Sequence, residues 1–440
     1  MPNESGQKSA SSDQVASLTL LVDTPNGQYV RQVAHASPLP KGLPQGKAAE
    51  VAMHSAAATW GLPDFVYRPR LHKVRSGIRE LGDGMLLVGQ IGVVIQVKSR
   101  MTADSYPERE KSWIQKAAEK AVRQAEGTVR AMLAQPRSLV NGRGREITIE
   151  ASEYEWLVVV IIDHEELPGG VNLDMSLAKL PTVVLVRRDW EFLFDQLRST
   201  YAVASYLTRA ASSHPVELGK EPVRYYEFAA ADVATPPRVI DPRIAAGGFH
   251  LSAPLLPQEP AGRDSWSDHA LLRIIMEDVA TSSTRGELEE VERLQVLGEM
   301  DRLPVAHRTE LGRTLLSMMR DVVEAPLGET KWRLRRYRFP PPEPHLAFGA
   351  CSVFNEAVFE GFRQWVALRH HEFAGFLDRP EELKTVGVLL TPRDDGLRPW
   401  DTTMVSVRGD LKLTSDELKA FRNLWGRAES ETAADSAGGR

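Results

Sequence analysis

The 440-residue chain carries 54 Lys and Arg against 59 Asp and Glu, a formal net charge of -5, and 42% of its residues are hydrophobic. That length predicts two or three domains with sizeable cores, and the acidic balance excludes a general polycation, so any nucleic-acid contact is confined to local patches. The single cysteine, Cys351, excludes a disulfide framework and a zinc ribbon; with no signal-peptide-like segment and no apolar run longer than Trp156 to Ile162, the chain reads as cytoplasmic with a buried thiol.

Residues 1–16 are polar and predict a disordered tail. Residues 17 to 34 read as a strand or hairpin around Thr24-Pro25-Asn26-Gly27, and an Ala-rich helix over 46 to 60 ends at Trp60-Gly61-Leu62-Pro63. A connector dense in Arg68, Arg70, His72, Lys73, Arg75 and Arg79 follows, suited either to phosphate contact or to a solvated loop. Then comes the most informative stretch: Asp83, the apolar run Met85 to Val88, a turn at Gly89-Gln90, and Val93-Val94-Ile95-Gln96-Val97-Lys98. Alternation along a strand puts Val94, Gln96 and Lys98 on one side and Val93, Ile95 and Val97 on the other. Such an apolar strand reads as central in a sheet, where an amide and an ammonium need partners, and Asp83 is the natural one. The three side chains form either an inert buried ion pair or a site for phosphodiester hydrolysis.

The periodicity of Trp113, Ile114, Ala117, Ala121, Val122, Ala125, Val129 and Met132 predicts a helix over 107 to 135, with Lys120 and Gln124 on its polar side. Buried strands follow at Glu155 to Asp163 and Pro181 to Val186, with Asp163 and His164 as a strand-end turn. A helix capped by Asp189 is expected to run through Tyr206.

These residues resemble the PD-(D/E)XK nucleases, whose restriction-endonuclease-like core places an acid on one strand and E-x-K or Q-x-K on the next. The match is Asp83, twelve residues, then Gln96-Val97-Lys98, within residues 45 to 210. The resemblance implies an α/β domain with a mixed sheet flanked by helices, and a metal-dependent nuclease acting on DNA in restriction, phage defence or repair. It implies Asp83, Gln96, Lys98 and Glu50 as catalytic residues, with Asp83, Gln96, the Val97 carbonyl and Glu50 holding Mg²⁺ or Mn²⁺. It also implies Arg68, Arg70, Lys73, Arg75, Arg79, Lys120 and Gln124 as nucleic-acid contacts. A Gln in place of Glu removes a charge from the metal site, so a binding module with a degenerate site, or a protein-interaction adaptor, stands as the alternative. Glu80 reads as a surface acid.

The nuclease-like domain is expected over 17–235, a linker over 236–263 because its prolines exclude long regular elements, and a helix-rich α+β domain over 264–427 that selects substrate or protein partner. Within that domain, helices are expected at Asp264 to Val279, Arg285 to Met300, Val305 to Val323, Asn355 to Phe373 and Ser415 to Trp425. Strands are expected at Lys331 to Phe339, His345 to Ser352 and Thr385 to Leu390. The interleaved cations and aromatics of Lys331 to Phe339 suit either a base-stacking surface or a charged edge strand. His370-His371-Glu372 reads as a polar helix face, Thr391 to Thr403 as a polar loop, and residues 428–440 as a disordered tail. No P-loop, dinucleotide fingerprint or H-E-x-x-H occurs.

Overall fold

The computed structural model describes residues 17–25, 27–69, 72–74, 77–79, 82–100, 106–164, 166–234, 256–259, 266–282, 290–326, 328–338, 345–375, 377, 379–393 and 399–426. Both expected tails, most of the expected linker, Arg70, Arg75 and Glu80 lie outside them. The chain divides into two compact units, Met1–Ala231 with Gln258–Pro260, and Asp232–Pro257 with Ala261–Arg440. Each is mixed α/β. Among the described residues no helix is long and apolar enough to cross a membrane.

The first unit opens with an antiparallel hairpin, β1 (Leu18–Thr24) and β2 (Gly27–Val33), followed by helix α1 (Gln45–Trp60). Its main sheet is built from β3 (Val66–Pro69), β6 (Gly84–Val88), β7 (Ile91–Arg100), β8 (Arg137–Asn141), β9 (Glu146–Ile149), β10 (Glu155–His164) and β11 (Thr182–Val186). A separate ribbon, β4 (His72–Val74) and β5 (Gly77–Arg79), lies in the connector. The seven strands run in the order β11-β10-β7-β6-β3-β8-β9. β3, β6 and β7 are antiparallel neighbours, whereas β10 lies parallel to β7 and β11 parallel to β10. A parallel neighbour requires a crossover, which helix α2 (Pro107–Leu133) supplies by packing across β7 and β10. β7 and β10 have covered neighbours on both edges and both faces, so they are apolar without alternation: Val93, Val94 and Ile95 on β7 and Val158 to Ile162 on β10 are fully buried.

The long helix expected from Asp189 is two. α3 (Arg187–Leu197) ends where Arg198 takes a left-handed backbone (φ 49°), and Ser199 caps α4 (Thr200–Ala211) by accepting from the Ala202 amide at 3.0 Å. Asp189 is therefore not a cap. It lies fully buried in the first turn of α3, paired with Arg188 at 2.8 Å, and accepts from the Glu221 amide of α5 (Glu221–Ala234). Burial pushes its carboxyl up to about 6 against the opposing pull of Arg188. Glu221 in turn binds Arg224 at 2.6 Å and Tyr206 of α4, so one buried ionic network ties α3, α4 and α5 together.

In the second unit, α6 (Trp266–Thr281), α7 (Glu290–Asp301) and α8 (Val305–Val323) precede a sheet of order β12-β13-β14-β15: β12 (Trp332–Arg338), β13 (His345–Cys351), β14 (Lys384–Pro392) and β15 (Trp400–Arg408). α9 (Glu356–Ala374) crosses between the parallel pair β13 and β14, and α10 (Ser415–Trp425) packs on α9. β12 is the basic strand and forms an edge, its Arg333 paired with Asp321 and Arg336 with Glu372. Cys351 is buried. Two expectations are corrected. The stretch taken as a polar loop becomes edge strand β15 from Trp400, because Thr402, Thr403, Val405 and Val407 suit a pleated, half-buried surface. His370 is not on a solvated face: it is fully buried between the Thr385 hydroxyl at 2.7 Å and the Gly409 carbonyl at 2.6 Å.

Removing one partner of a buried ion pair strands the other charge. Arg224→Ala is expected to destabilise the first unit by about 3 kcal/mol, whereas Lys111→Ala, which breaks the exposed pair with Glu108, changes stability by less than about 0.5 kcal/mol. Chemical denaturation of the two variants against the parent checks the contrast.

Candidate active site

The site is assembled at the end of the sheet where β6 begins and β7 ends. Asp83 stands between two glycines. Gly82 adopts φ +100°, and a Cβ there would approach the Gln96 amide nitrogen to 3.0 Å; a Cβ on Gly84 would lie 2.7 Å from the Met53 methyl and 2.9 Å from the His54 ring. Glycine on both sides thus lets α1 and β7 close on Asp83. The Asp83 main chain is held twice, its amide donating to the Ile95 carbonyl at 3.2 Å and its carbonyl bonded to His54 Nε2 at 2.9 Å. The carboxylate accepts from the Val97 amide at 2.6 Å and has the Lys98 ammonium at 3.9 Å. Lys98 also donates to Gln96 Oε1 at 3.2 Å. The predicted trio of Asp83, Gln96 and Lys98 is therefore contiguous, on the face that strand alternation assigns to it.

Gln96 is buried, and Lys98 and Asp83 are mostly so. Burial lowers the Lys98 pKa, opposed by the charge of Asp83, with Lys120 of α2 lowering it further and Glu50 of α1 raising it. Both helices thus bring charge to the same ammonium. Glu50 itself is paired with Lys47 at 2.6 Å. Gln124 lies one turn beyond Lys120 on the exposed side of α2. Arg68, exposed at the end of β3, is close enough to His54 to depress its pKa; Lys73 and Arg79 fall in β4 and β5, with side chains outside the described residues.

His54 is the residue that sequence reading missed. It lies four residues after Glu50, hence on the same helix face, and that spacing was the available signal. The ring is buried and packs where a Gly84 side chain would be. Desolvation lowers its pKa to about 4, the bond to Asp83 opposing this and Arg68 adding to it. A neutral ring that meets a carbonyl at Nε2 carries its proton there, so His54 donates to Asp83.

Two further networks line the ends of β7 and β10. Asp163, on one face, accepts from Ser99 at 3.1 Å and from Arg187 at 2.8 Å. His164, on the other, binds Glu110 of α2 at 2.7 Å, and Glu110 also pairs with Arg100 at 2.9 Å. The two residues are the last of β10 rather than a turn beyond it, and they belong to separate networks.

The donors at this end, the Asp83 carboxylate, the Gln96 amide oxygen and Glu50, are the oxygen ligands a hard divalent cation takes. The Val97 carbonyl joins them, because the N–H and C=O of one extended residue point to the same strand edge and the Val97 N–H points to Asp83. Among the described residues no group of three or more His, Cys, Asp or Glu side chains could hold a metal ion. By chemical type the oxygens suit Mg²⁺ or Mn²⁺, with one carboxylate at Asp83, neutral oxygens at Gln96 and Val97, and Glu50 engaged with Lys47. Scans of the chain against protein-family models, curated proteins and solved structures return no match.

The neutral His54 yields a pH test. Its folded pKa of about 4 lies below the ordinary 6.5, so the unfolded chain takes up a proton first. Stability is fully present above 6.5 and is lost as pH falls toward 4, at about 1.4 kcal/mol per pH unit. Denaturation of the parent and of His54→Gln at pH 7 and pH 5 checks this. His54→Gln keeps a donor for Asp83 but has no titrating ring, and its pH dependence is expected to be shallower by about 2 kcal/mol over that interval.

Proposed function

We propose that the first unit is a metal-dependent nuclease that hydrolyses phosphodiester bonds, with DNA as substrate. The observation that carries the reading is the convergence of Asp83, Gln96 and Lys98, with Glu50 and Lys120 in electrostatic reach, at one end of the sheet. The order of elements adds support: helix α1, a basic connector, the β6–β7 hairpin, the long helix α2, then buried β10 parallel to β7, the order that the PD-(D/E)XK resemblance implies. Restriction, phage defence or repair are the settings this chemistry suits. The second unit is assigned the choice of substrate or protein partner.

Asp83, Gln96, the Val97 carbonyl and Glu50 would hold Mg²⁺ or Mn²⁺, which when bound neutralises charge on the scissile phosphate and lowers the pKa of a bound water. Lys98 contributes the remaining polar group. Its ammonium lies between Asp83 and Gln96, where it orients a water by hydrogen bonding, and its lowered pKa makes it a readier proton donor to the departing oxygen. Lys120 adds positive potential where the phosphate approaches. His54 acts through Asp83, fixing its carbonyl so that the carboxylate keeps its place against the Val97 amide.

Cleavage of supercoiled plasmid, linear duplex, single-stranded DNA and RNA with Mg²⁺ or Mn²⁺ tests the assignment. Asp83→Ala and Lys98→Ala are each expected to reduce cleavage at least about 100-fold, and chelator to abolish it. Gln96→Glu restores a charge to the donor set and is expected to raise metal affinity about 10-fold. One observation favours a second reading: the site lacks a carboxylate at Gln96 and its Asp83 is already bonded to a backbone amide. A parent that cleaves nothing while Gln96→Glu cleaves would make the unit a degenerate, nucleic-acid-binding module.

A further inference from the structure

Helix α2 presents a stripe rich in cations. At 100° per residue, Arg109, Lys116, Lys120, Arg123, Gly127 and Arg130 fall within about 80° of one another. All the cations in this set are exposed. The opposite side, Ile114, Ala118, Ala121, Val122, Ala125 and Val129, is buried. Three acids lie along one border of the stripe, Glu108 paired with Lys111 at 3.1 Å, Glu119 accepting from Gln115 at 2.8 Å and facing Arg123 at 3.9 Å, and Glu126 accepting from the Lys179 amide at 2.6 Å, while Glu110 is buried with Arg100 and His164. A solvated face in a chain of net charge -5 would be expected to mix signs. Here the charged residues within the arc are all cations, and the stripe is tied to the candidate site through Lys120, whose charge acts on Lys98.

We infer that the outer face of α2 is a track for the phosphate backbone of duplex nucleic acid, leading it to Lys98; where the duplex goes rests on the nuclease reading. Lys116 to Arg130 spans about 21 Å, the length of about six base pairs at 3.4 Å each. Single strands are held by stacking platforms, and the stripe offers none. From Lys116 to Arg130 the helix carries no aromatic residue; Trp113 lies under Arg100 at 5.1 Å and against His164 at 5.9 Å, and the exposed Tyr106, with Arg109 over its ring at 4.8 Å, is a lone aromatic at the helix start. In the middle of the stripe, a side chain at Gly127 would meet nothing within 4 Å, leaving the backbone open to a close phosphate and the position free for an added charge.

The experiment measures binding of a short labelled duplex and of its single strand to the full chain in chelator, across a salt series. For the parent, log K is expected to fall linearly with log salt and to favour duplex. Combining Lys116→Gln, Arg123→Gln and Arg130→Gln is expected to reduce the slope by about 2 to 3, since each phosphate contact contributes about 0.9. Gly127→Lys is expected to steepen it by about 1, and Lys419→Gln, an exposed change on α10, to leave it unaltered. The track is overturned if the triple variant, with helicity intact by circular dichroism, keeps the parental slope, or if single strand binds as tightly as duplex. Failure of the nuclease reading looks different: no cleavage when Mg²⁺ is added, with the stripe-dependent slope still present.

Discussion

Everything proposed for the first unit depends on how closely α1 and β7 approach the start of β6. Asp83 can face Val97 and Lys98 only because its two glycine neighbours leave room for Gln96 on one side and for Met53 and His54 on the other. The same approach buries the His54 ring and obliges it to find an acceptor, which the Asp83 carbonyl provides. Packing and polar positioning are thus one event here. Any larger residue at Gly84 would push the helix away and break the His54 bond to the Asp83 carbonyl, loosening the backbone that carries the carboxylate.

The electrostatics follow from that burial. An ammonium largely removed from water loses stability as a cation, and Asp83 at 3.9 Å returns part of it. Lys120 acts in the opposite sense. The arrangement therefore leaves Lys98 less firmly protonated than a surface lysine, set between a carboxylate and an amide.

How much of this was legible in the sequence follows from how local each signal was. The β6–β7 hairpin is written as two apolar runs about a Gly turn, α1 as an Ala-rich run stopped by Gly and Pro and α2 as a strong period-3.6 pattern; Gln96 and Lys98 share a face by alternation along β7, and Asp83 was chosen as the nearest partner for them. His54 was hidden because its role depends on a tertiary contact with Gly84, though its spacing from Glu50 pointed to it. The break between α3 and α4 was masked by apolar periodicity on both sides of Arg198, where Ser199 and Thr200 were a cap signal inside the pattern. β15 was missed because its Thr-rich alternation follows a Pro- and Arg-rich segment, and pairing with β14 decides its conformation. His370 was misplaced because a helix wheel does not show that β14 covers that side of α9.

The Gln at position 96 ties these arguments together. A carboxylate there would face Asp83 across the β6–β7 hairpin with Lys98 as their shared counter-ion, and two like charges in one buried site raise each other's pKa. The amide avoids that repulsion and lets Lys98 donate to Gln96 while it stays paired with Asp83. On the proposed reading, a cation would have to compete with the Val97 amide and the Lys98 ammonium for oxygens that carry less charge, with the positive potential of Lys120 opposing it as well. Such a site would be best filled by a cation arriving with a phosphate, because the phosphate oxygens would contribute the negative charge that Gln96 lacks.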